Sequence, residues 1–467
     1  MLVYKTKTTH NEAKITILSW SVVALGTVVL TGCNSQPKGD LSPQTHNSPT
    51  LVEQQIANLY QSIFNELPQG GLRAASNEKV GNGETYITNF AKGGFMLYNV
   101  DSLGEVILLG ISEGGSLSTQ DTIHQPMLRN ILNQAAILGE EGAPKIHKDL
   151  EESNHGDPSR PPLPWIREYF GFPRYTLDTE NFESKKPMKP STLEFGQYAP
   201  FFNYLPKNKE TKHDLLGCAN TALAAFFSFY KLPKAIVCNN KTTKMNWEEL
   251  WDLNRRVYKP KEAGDNGKRW RSFLNSKENS ILSDQIALMC MYIYYETGHI
   301  WSGSSGTAVE NWRVKRFLKK HNFNPDVVDY DEKTLLAYLQ KYKRPVLAYG
   351  EGDNTFDSWH YWVFDGYMEN RCDLISVRQD YEGGPWVKDK VIKKNVISRF
   401  YHCNWGWDGD NNGYFRSHLL RPFYRYGIVS PTTELRTDLP DSEENYARHG
   451  KLFLTYPKEL AEYWTIK

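Results

Sequence analysis

The segment after Gly217 is small or apolar without interruption as far as Tyr230 (C-A-N-T-A-L-A-A-F-F-S-F-Y), and Lys231 and Pro233 end it. A helix that is apolar on all sides has to be buried, so this pattern predicts a core helix with Cys218 in its first turn. The chain is long enough to enclose it, because 467 residues with 40% hydrophobic content suffice for two or three domains with substantial cores.

The charge balance and the cysteines exclude several functions. The 55 Lys and Arg residues face 54 Asp and Glu residues, a formal net charge of +1, so the chain has no broad positive field to hold nucleic acid. Six cysteines are too few for a disulfide scaffold, and no C-x-x-C or H-E-x-x-H spacing indicates zinc. We therefore expect no nucleic-acid partner, no metal and no cofactor.

The amino terminus has the order of an export signal. Three lysines precede an apolar run from Ile15 to Leu30, which ends in L-T-G-C at Cys33. This ending resembles the lipobox of bacterial lipoproteins, which predicts a signal peptide over residues 1–32 and lipidation of Cys33. Residues 33–50 are rich in Ser, Pro and Asn and are predicted to be a flexible tether. The expected location is the membrane, on the periplasmic side or at the cell surface. An uncleaved anchor or an ordinary signal peptide are the alternatives.

A small α+β module is predicted over residues 51–140. Helical spacing of apolar residues begins at Leu51. Three segments rich in strand formers and one helical segment follow: Tyr86 to Phe90, Gly93 to Asp101, Glu105 to Ile111, and Pro126 to Leu138. No catalytic-looking cluster lies in this module.

The next segment, residues 141–190, is rich in proline and basic residues, with P-S-R-P-P-L-P at Pro158 to Pro164 and K-K-P-M-K-P at Lys185 to Pro190. Because proline disfavours regular structure, an exposed linker that is open to proteolysis is predicted. A mixed helix and strand domain is expected over residues 191–430, and a carboxyl-terminal extension over residues 431–467.

Cys218 is part of a wider pattern of chemically suited residues. The start of a helix favours a thiolate, but a buried cysteine by itself is more often a small hydrophobic residue than a nucleophile. His360 opens a predicted strand more than a hundred residues later, and Asn404 ends another strand before a turn rich in Gly, Asp and Asn. The order Cys, His, Asn with this spacing is typical of papain-like hydrolases, with the nucleophile on a helix and the base on a sheet.

Five motifs follow one another from about Phe195 to Phe415. They are G-Q-Y-A-P-F-F-N-Y-L-P at Gly196 to Pro206, G-C-A-N-T-A-L-A at Gly217 to Ala224, S-S-G-T-A at Ser304 to Ala308, H-Y-W-V-F-D-G-Y at His360 to Tyr367, and N-W-G-W-D-G-D-N-N-G-Y-F at Asn404 to Phe415. In this order they resemble the streptopain family of bacterial cysteine peptidases, peptidase family C10. The resemblance implies an α+β papain-like catalytic domain in which an antiparallel sheet carries the histidine and the asparagine. The module over residues 51–140 is similar to the inhibitory propeptide of these peptidases.

The resemblance also implies roles for individual residues. Cys218 would be the nucleophile and His360 its general base and acid. Asn404 would accept a hydrogen bond from the imidazole, and Trp405 would shield that bond from water. Gln197 would join the backbone N–H of Cys218 in an oxyanion hole.

Further assignments concern the substrate cleft, two other histidines and the remaining thiols. The resemblance places Thr307 and Trp359, together with Trp405, beside the substrate. His402 alternates with Asn404 along its strand but is expected to be structural, and His213 is expected to lie on the surface or in a loop. The remaining thiols are expected to be single and buried, although two disulfides could form among them: Cys238, Cys290, Cys372 and Cys403.

The sequence departs from the family pattern at three positions. Trp359 and Tyr361 flank His360 where the family usually has glycine and alanine, and Asp408 stands where a glycine is usual. Because Cys218, His360 and Asn404 are all present, we expect these departures to affect the choice of substrate more than the reaction.

The sequence therefore predicts a lipid-anchored cysteine endopeptidase made as a zymogen. Its partners would be protein or peptide substrates, its own prodomain as an intramolecular inhibitor, and the membrane. Two alternatives stay open, a papain-like amidase or acyl transferase and a catalytically silent surface binding lipoprotein.

Overall fold

An eleven-stranded antiparallel sheet runs through the part of the chain that the computed structural model describes. The described residues are 51–67, 74–91, 93–101, 104–120, 126–141, 174–258, 271–272, 274–304, 306–351, 359–379, 386–420, 450–457 and 462–466. The predicted signal peptide, the tether and Cys33 lie outside them. No helix within these ranges is long and apolar enough to cross a membrane.

The helices are α1 Leu51–Phe64, α2 Pro126–Glu141, α3 Cys218–Phe229, α4 Trp247–Tyr258, α5 Ser280–Thr297, α6 Asn311–Lys320 and α7 Glu332–Tyr342. The strands are β1 Ala74–Val80, β2 Thr85–Phe90, β3 Phe95–Val100, β4 Val106–Ser112, β5 Arg174–Met188, β6 Lys207–Asn208, β7 Lys212–His213, β8 Ala235–Cys238, β9 Lys241–Lys244, β10 Trp301–Gly303, β11 Gly306–Ala308, β12 Phe323–Asp329, β13 Val346–Glu351, β14 Trp359–Gln379, β15 Trp386–Asn404, β16 Gly413–Arg416, β17 Lys451–Pro457 and β18 Tyr463–Ile466. The fold is of the α+β class that the sequence predicted.

The large sheet joins the two predicted modules. Its strand order is β1-β2-β3-β4-β16-β15-β14-β13-β17-β12, and β5 pairs with β14 off this path. The junction is the pairing of β4 with β16, in which Tyr414 lies opposite Ile111 and Phe415 opposite Gly110. The meander predicted within residues 51–140 is therefore continuous with the sheet that carries His360 and Asn404.

The helix α3 confirms the strongest local prediction. Every residue from Ala219 to Ser228 is buried, and the side chains of α5 and of the sheet enclose it in one apolar core. A second core joins α2 to the tryptophans near His360, and a third packs α1 on the strands of the first module.

The predicted linker contains a long strand. Residues 142–173 lie outside the described part of the chain, but β5 pairs with β14 from Arg174 to Met188. The prolines of this segment did not prevent the strand. Among the described residues β5 pairs with one strand, β14, and Pro187 falls where the register shifts between Lys185 and Met188. An edge strand with a bulge accepts a residue that lacks an N–H group.

The boundary predicted after residue 430 is also wrong as a division of structure. The strand β17 lies inside the large sheet between β13 and β12, with Leu452 and Phe453 fully buried, and β18 pairs with β8. The alternating pattern K-L-F-L-T-Y at Lys451 to Tyr456 was the available signal for this strand. The carboxyl-terminal segment is thus part of the second domain and not an extension of it.

Candidate active site

A turn at Gly217 presents Cys218 at the first residue of α3. Gly217 has φ 83°, and a Cβ at this position would lie 2.3 Å from the carbonyl oxygen of Thr307. Glycine alone satisfies both the left-handed backbone and this close approach. Thr307 supports the same turn, because its hydroxyl donates to the carbonyl oxygen of Leu215 at 2.6 Å.

The thiol of Cys218 lies against the strand that carries the predicted base. Backbone hydrogen bonds from Tyr361, Ala219 and Cys218 itself reach the thiol. Tyr361 directly follows His360 on β14, so the thiol contacts the strand next to the residue that carries the predicted base. Burial nevertheless raises the pKa of the Cys218 thiol, and the three backbone contacts only oppose this. The N–H groups of Ala219 and Cys218 at the helix start lower the thiol pKa as expected, but burial raises it by more.

The imidazole of His360 is buried and has one backbone partner. Its Nε2 lies 3.1 Å from the carbonyl oxygen of Trp405. A carbonyl oxygen can only accept, so Nε2 carries the proton and Nδ1 is left as the basic nitrogen in the neutral ring. This is the tautomer that a general base for Cys218 requires.

Three indole rings surround this imidazole. Trp362 and Trp407 lie nearly parallel to it with ring centroids 6.4 Å away, and Trp405 lies tilted at 6.2 Å. Burial lowers the pKa of His360 to about 4, and the hydrogen bond to the Trp405 carbonyl opposes the shift only in part. In this state both the thiol and the imidazole are neutral at pH 7.

Asn404 is close to this site but does not make the predicted contact. Among the hydrogen bonds of the described residues, it has none to the imidazole. Its Nδ2 donates to Thr192 Oγ1 and to the carbonyl oxygen of Leu193, both at 3.0 Å. Its Oδ1 accepts the backbone N–H of Gly406 at 3.2 Å.

The reason is that one peptide group lies between the two side chains. The carbonyl of the peptide bond between Trp405 and Gly406 faces His360, and the N–H of the same peptide bond faces Asn404. The antiparallel pairing of β14 with β15 holds both ends, with Val363 opposite Asn404. Asn404 therefore orients the peptide group between Trp405 and Gly406, and the carbonyl of that peptide group orients the imidazole of His360.

Gln197 is buried, at 5% exposed, so it is not an ordinary exposed loop residue. The adjacent Gly196 packs directly under Asp408, where a Cβ would come within 2.1 Å of the carboxylate. Asp408 also donates its N–H to the carbonyl oxygen of Phe195 at 2.9 Å and pairs with Arg271. The structure thus holds the segment of Gln197 against the turn that follows Asn404, while its oxyanion role stays a prediction.

The residues predicted to contact substrate are placed as follows. Thr307 is 4% exposed, with its hydroxyl bound to backbone, so in this structure it supports the turn before Cys218. Trp405 is 1% exposed, and its ring packs beside the imidazole of His360. Trp359 is the first residue of β14, and its side chain lies outside the described part.

Sequence reasoning missed two residues of this site, Thr192 and Asp365. The carboxylate of Asp365 accepts the hydroxyl of Thr192 at 2.6 Å, and His402 Nδ1 lies 2.6 Å from its other oxygen. The V-F-D-G sequence indicates only a strand followed by a turn. The alternation of His402 with Asn404 along β15 was the sequence signal for this cluster, because both side chains belong to the same group of buried hydrogen-bonded residues.

The described part of the chain holds no group of three or more His, Cys, Asp or Glu residues arranged to bind a metal ion. His213 contacts the carbonyl oxygen of Leu205 at 2.7 Å. The thiols of Cys238, Cys290, Cys372 and Cys403 are free.

A thiol at the start of a buried helix, beside a strand of an antiparallel sheet that carries a histidine, is the arrangement that the order of Cys218 and His360 in the sequence predicted. Residues 195–415 match the family model described as the Peptidase C10 family.

Streptopain of Streptococcus pyogenes serotype M1 is 23% identical over 261 residues. This similarity covers 51% of the chain and 58% of streptopain, so the chain spans little more than half the length of this curated relative. Among solved structures, a prointerpain A fragment of Prevotella intermedia is 16% identical with a TM-score of 0.42, covering 82% of this chain and all of the fragment. Active interpain A of the same organism is 16% identical with a TM-score of 0.33, covering 56% of this chain and 93% of that one.

The buried imidazole makes stability depend on pH. The folded state keeps His360 neutral down to about pH 4, whereas the unfolded chain binds a proton below about pH 6.5. The contribution of His360 to the free energy of unfolding is therefore fully present above pH 6.5 and is lost as the pH decreases towards 4. His321, whose pKa burial lowers to about 3, has the same effect. Between pH 7.5 and pH 5 we expect a loss of about 2 kcal/mol from each histidine.

Urea unfolding of the Cys218→Ala protein at both pH values measures this loss, since that background cannot cleave itself. His360→Gln and His321→Gln should each remove about half of the pH-dependent difference. If the change in the free energy of unfolding between the two pH values is the same in both variants as in the parent, groups other than His360 and His321 cause it.

Proposed function

We propose that this protein is a cysteine endopeptidase synthesised as a zymogen. The observation that carries the proposal is the placement of the Cys218 thiol beside the strand that presents His360, with the imidazole proton held on Nε2. This arrangement leaves Nδ1 as the proton acceptor that a thiol nucleophile needs.

The proposed reaction follows from these atoms. His360 Nδ1 takes the thiol proton, and the thiolate of Cys218 attacks the carbonyl carbon of a peptide bond. The negative oxygen is stabilised by the Cys218 backbone N–H and the side-chain amide of Gln197. The imidazolium then protonates the leaving amine, and an acyl-enzyme remains. Water, deprotonated by the same imidazole, hydrolyses the thioester and releases the thiol.

The first module is proposed to keep the enzyme latent. Its strand β4 extends the catalytic sheet at β16, and its helix α2 contributes Met127 to the core near the active histidine. A Cβ at Gly350, which pairs with His360, would lie 3.1 Å from the Met127 sulfur and 3.3 Å from the Trp362 ring. The module thus seals the aromatic surroundings that keep the thiol and the imidazole neutral.

Activation is proposed to require a cut near Lys185 to Pro190. Lys185 has an exposed side chain, but the residues up to Met188 are paired with β14. Proteases need an extended segment that is free of other pairing, so β5 has to separate from β14 before the cut. We propose that this separation sets the rate of maturation.

The amino-terminal sequence supports export and anchoring through diacylated Cys33, on the periplasmic side of the membrane or at the cell surface. Two or more acyl chains hold a protein firmly. Cleavage near Lys185 to Pro190 would leave the first module on the lipid and release the catalytic domain. Incorporation of labelled palmitate that is lost in Cys33→Ser tests the anchor.

An epoxide thiol-protease reagent tests the enzymatic proposal. The full-length chain, purified in detergent, is incubated under reducing conditions, and its labelling is followed by mass spectrometry together with hydrolysis of a protein substrate. We expect labelling at Cys218 to appear as the first module is removed, and to be lost in His360→Ala. Acyl transfer to an amine without hydrolysis would indicate a transferase, and a processed, folded protein with neither labelling nor hydrolysis would contradict the proposal.

A further inference from the structure

A continuous series of hydrogen bonds leads away from the imidazole into the core. His360 Nε2 donates to the Trp405 carbonyl at 3.1 Å. The N–H of the same peptide group, at Gly406, donates to Asn404 Oδ1 at 3.2 Å. Asn404 Nδ2 donates to Thr192 Oγ1 at 3.0 Å, and Thr192 Oγ1 donates to Asp365 Oδ2 at 2.6 Å.

The direction of every bond in this series is fixed by the chemistry of its groups. Asn404 Nδ2 has two protons, which go to Thr192 Oγ1 and to the carbonyl oxygen of Leu193. Turning the amide over would place its oxygen against the Leu193 carbonyl and its protons against the N–H of Gly406, and both contacts would be repulsive. Thr192 has one hydroxyl proton, and a carboxylate at Asp365 accepts it.

Asp365 is therefore the common acceptor at the end of the series. The same oxygen accepts the backbone N–H groups of Ser191 and Thr192, at 3.1 and 3.0 Å. Its other oxygen is bound to His402 Nδ1. Asp365 is 1% exposed and Asn404 2% exposed, so the series runs through the interior, where aligned hydrogen bonds polarise one another.

We infer that Asp365 and Thr192 are positioning residues for His360, acting through Asn404 and the peptide bond between Trp405 and Gly406. The negative charge of Asp365 aligns four successive donors towards itself, and the last of them fixes the imidazole with its proton on Nε2. This inference rests on the proposed peptidase function for its kinetic consequences, but the orientation of the imidazole is a property of the protein itself.

The first residues of the catalytic domain connect this series to the helix of Cys218. Ser191 and Thr192 directly follow the proposed cleavage region, and Leu193 donates its N–H to Ser228 Oγ in α3 at 2.8 Å. The same few residues therefore contact the helix of Cys218 and, through Asn404, the imidazole. A cut that removed Ser191 or Thr192 would break the series.

Thr192→Val is the decisive variant, because valine keeps the shape of threonine and removes the hydroxyl. Thr192→Ser restores the hydroxyl, and Thr455→Val makes the same change at a fully buried threonine of β17 outside the series. In the processed form of the full-length chain we expect Thr192→Val to lower kcat roughly 10- to 100-fold. KM should stay within about twofold, since no substrate contact is lost. Thr192→Ser and Thr455→Val should stay within about threefold of the parent in both constants.

A second measurement does not need activity. With ¹⁵N-histidine labelling of the Cys218→Ala chain, NMR reports which imidazole nitrogen carries the proton. His360 should be in the Nε2–H form, and both Thr192→Val and Asp365→Asn should convert it to a mixture of tautomers. His360→Gln assigns the signal.

The outcomes separate the two proposals. An unchanged tautomer and an unchanged kcat in Thr192→Val would overturn the positioning role, as would a Thr192→Ser protein as impaired as Thr192→Val. If the parent protein neither hydrolyses substrate nor labels at Cys218, the proposed function fails, and the NMR result still decides whether Asp365 and Thr192 orient the imidazole.

Discussion

Replacing Cys218 by alanine should reduce peptide hydrolysis by at least about 10⁴-fold, because no other group at the helix start can form the acyl-enzyme. The variant should also stay folded, since Cys218 is only partly buried and alanine keeps its Cβ. Steady-state hydrolysis of a fluorogenic peptide by the processed protein measures the loss, and circular dichroism checks the fold. The variant chain will need an added protease for its processing.

The matched control for this prediction is Cys238→Ala. Cys238 is also a free and partly buried cysteine, but it lies on β8, away from β14. Its replacement should leave hydrolysis within about twofold. Equal losses in the two variants would show that the cysteines matter for the folded structure and not as nucleophiles.

Gly217→Ala should be the most damaging single-methyl change at the site. The residue has φ 83°, and the new Cβ would lie 2.3 Å from the Thr307 carbonyl oxygen and 2.8 Å from its Cβ. The strained backbone and the steric overlap together should lower the free energy of unfolding by about 2 to 5 kcal/mol. Activity should fall further, because the turn can only relax by moving Cys218.

Gly303→Ala provides the comparison in the neighbouring strand. Gly303 has no neighbouring atom within 4 Å of an added Cβ, and its carbonyl accepts the N–H of Leu215 near the same turn. Urea unfolding measures both variants, and the free energy of unfolding of Gly303→Ala should change by less than about 1 kcal/mol. Similar destabilisation by both would mean that the conformation at Gly217 is not the cause.

Much of the site could be predicted from local pattern. The apolar run after Gly217 could only be a buried helix, and strand-forming residues around His360 and before Asn404 made two strands of one sheet the natural expectation. Antiparallel pairing brings these strands together because Val363 lies opposite Asn404. The order and spacing of three residues thus predicted which elements carry the site.

What could not be predicted depends on contacts between distant segments. The bond from Asn404 to Thr192 joins residues more than two hundred positions apart, and no local pattern indicates it. The neutral thiol has a similar origin, since burial by surrounding elements outweighs the effect of the helix start that the sequence did reveal. The strand β5 was hidden by the proline-rich composition of its segment, and the one proline inside it, Pro187, is tolerated at an edge position.

The pairing of β4 with β16 has a consequence for the processed protein. While the first module is bound, β16 lies inside a sheet, and its removal would turn β16 into an edge with unsatisfied N–H and C=O groups. This edge spans only Gly413–Arg416, and such a short edge is one of the means by which natural proteins avoid recruiting strands from other molecules. Maturation would therefore open the sheet at a place where it cannot readily seed aggregation.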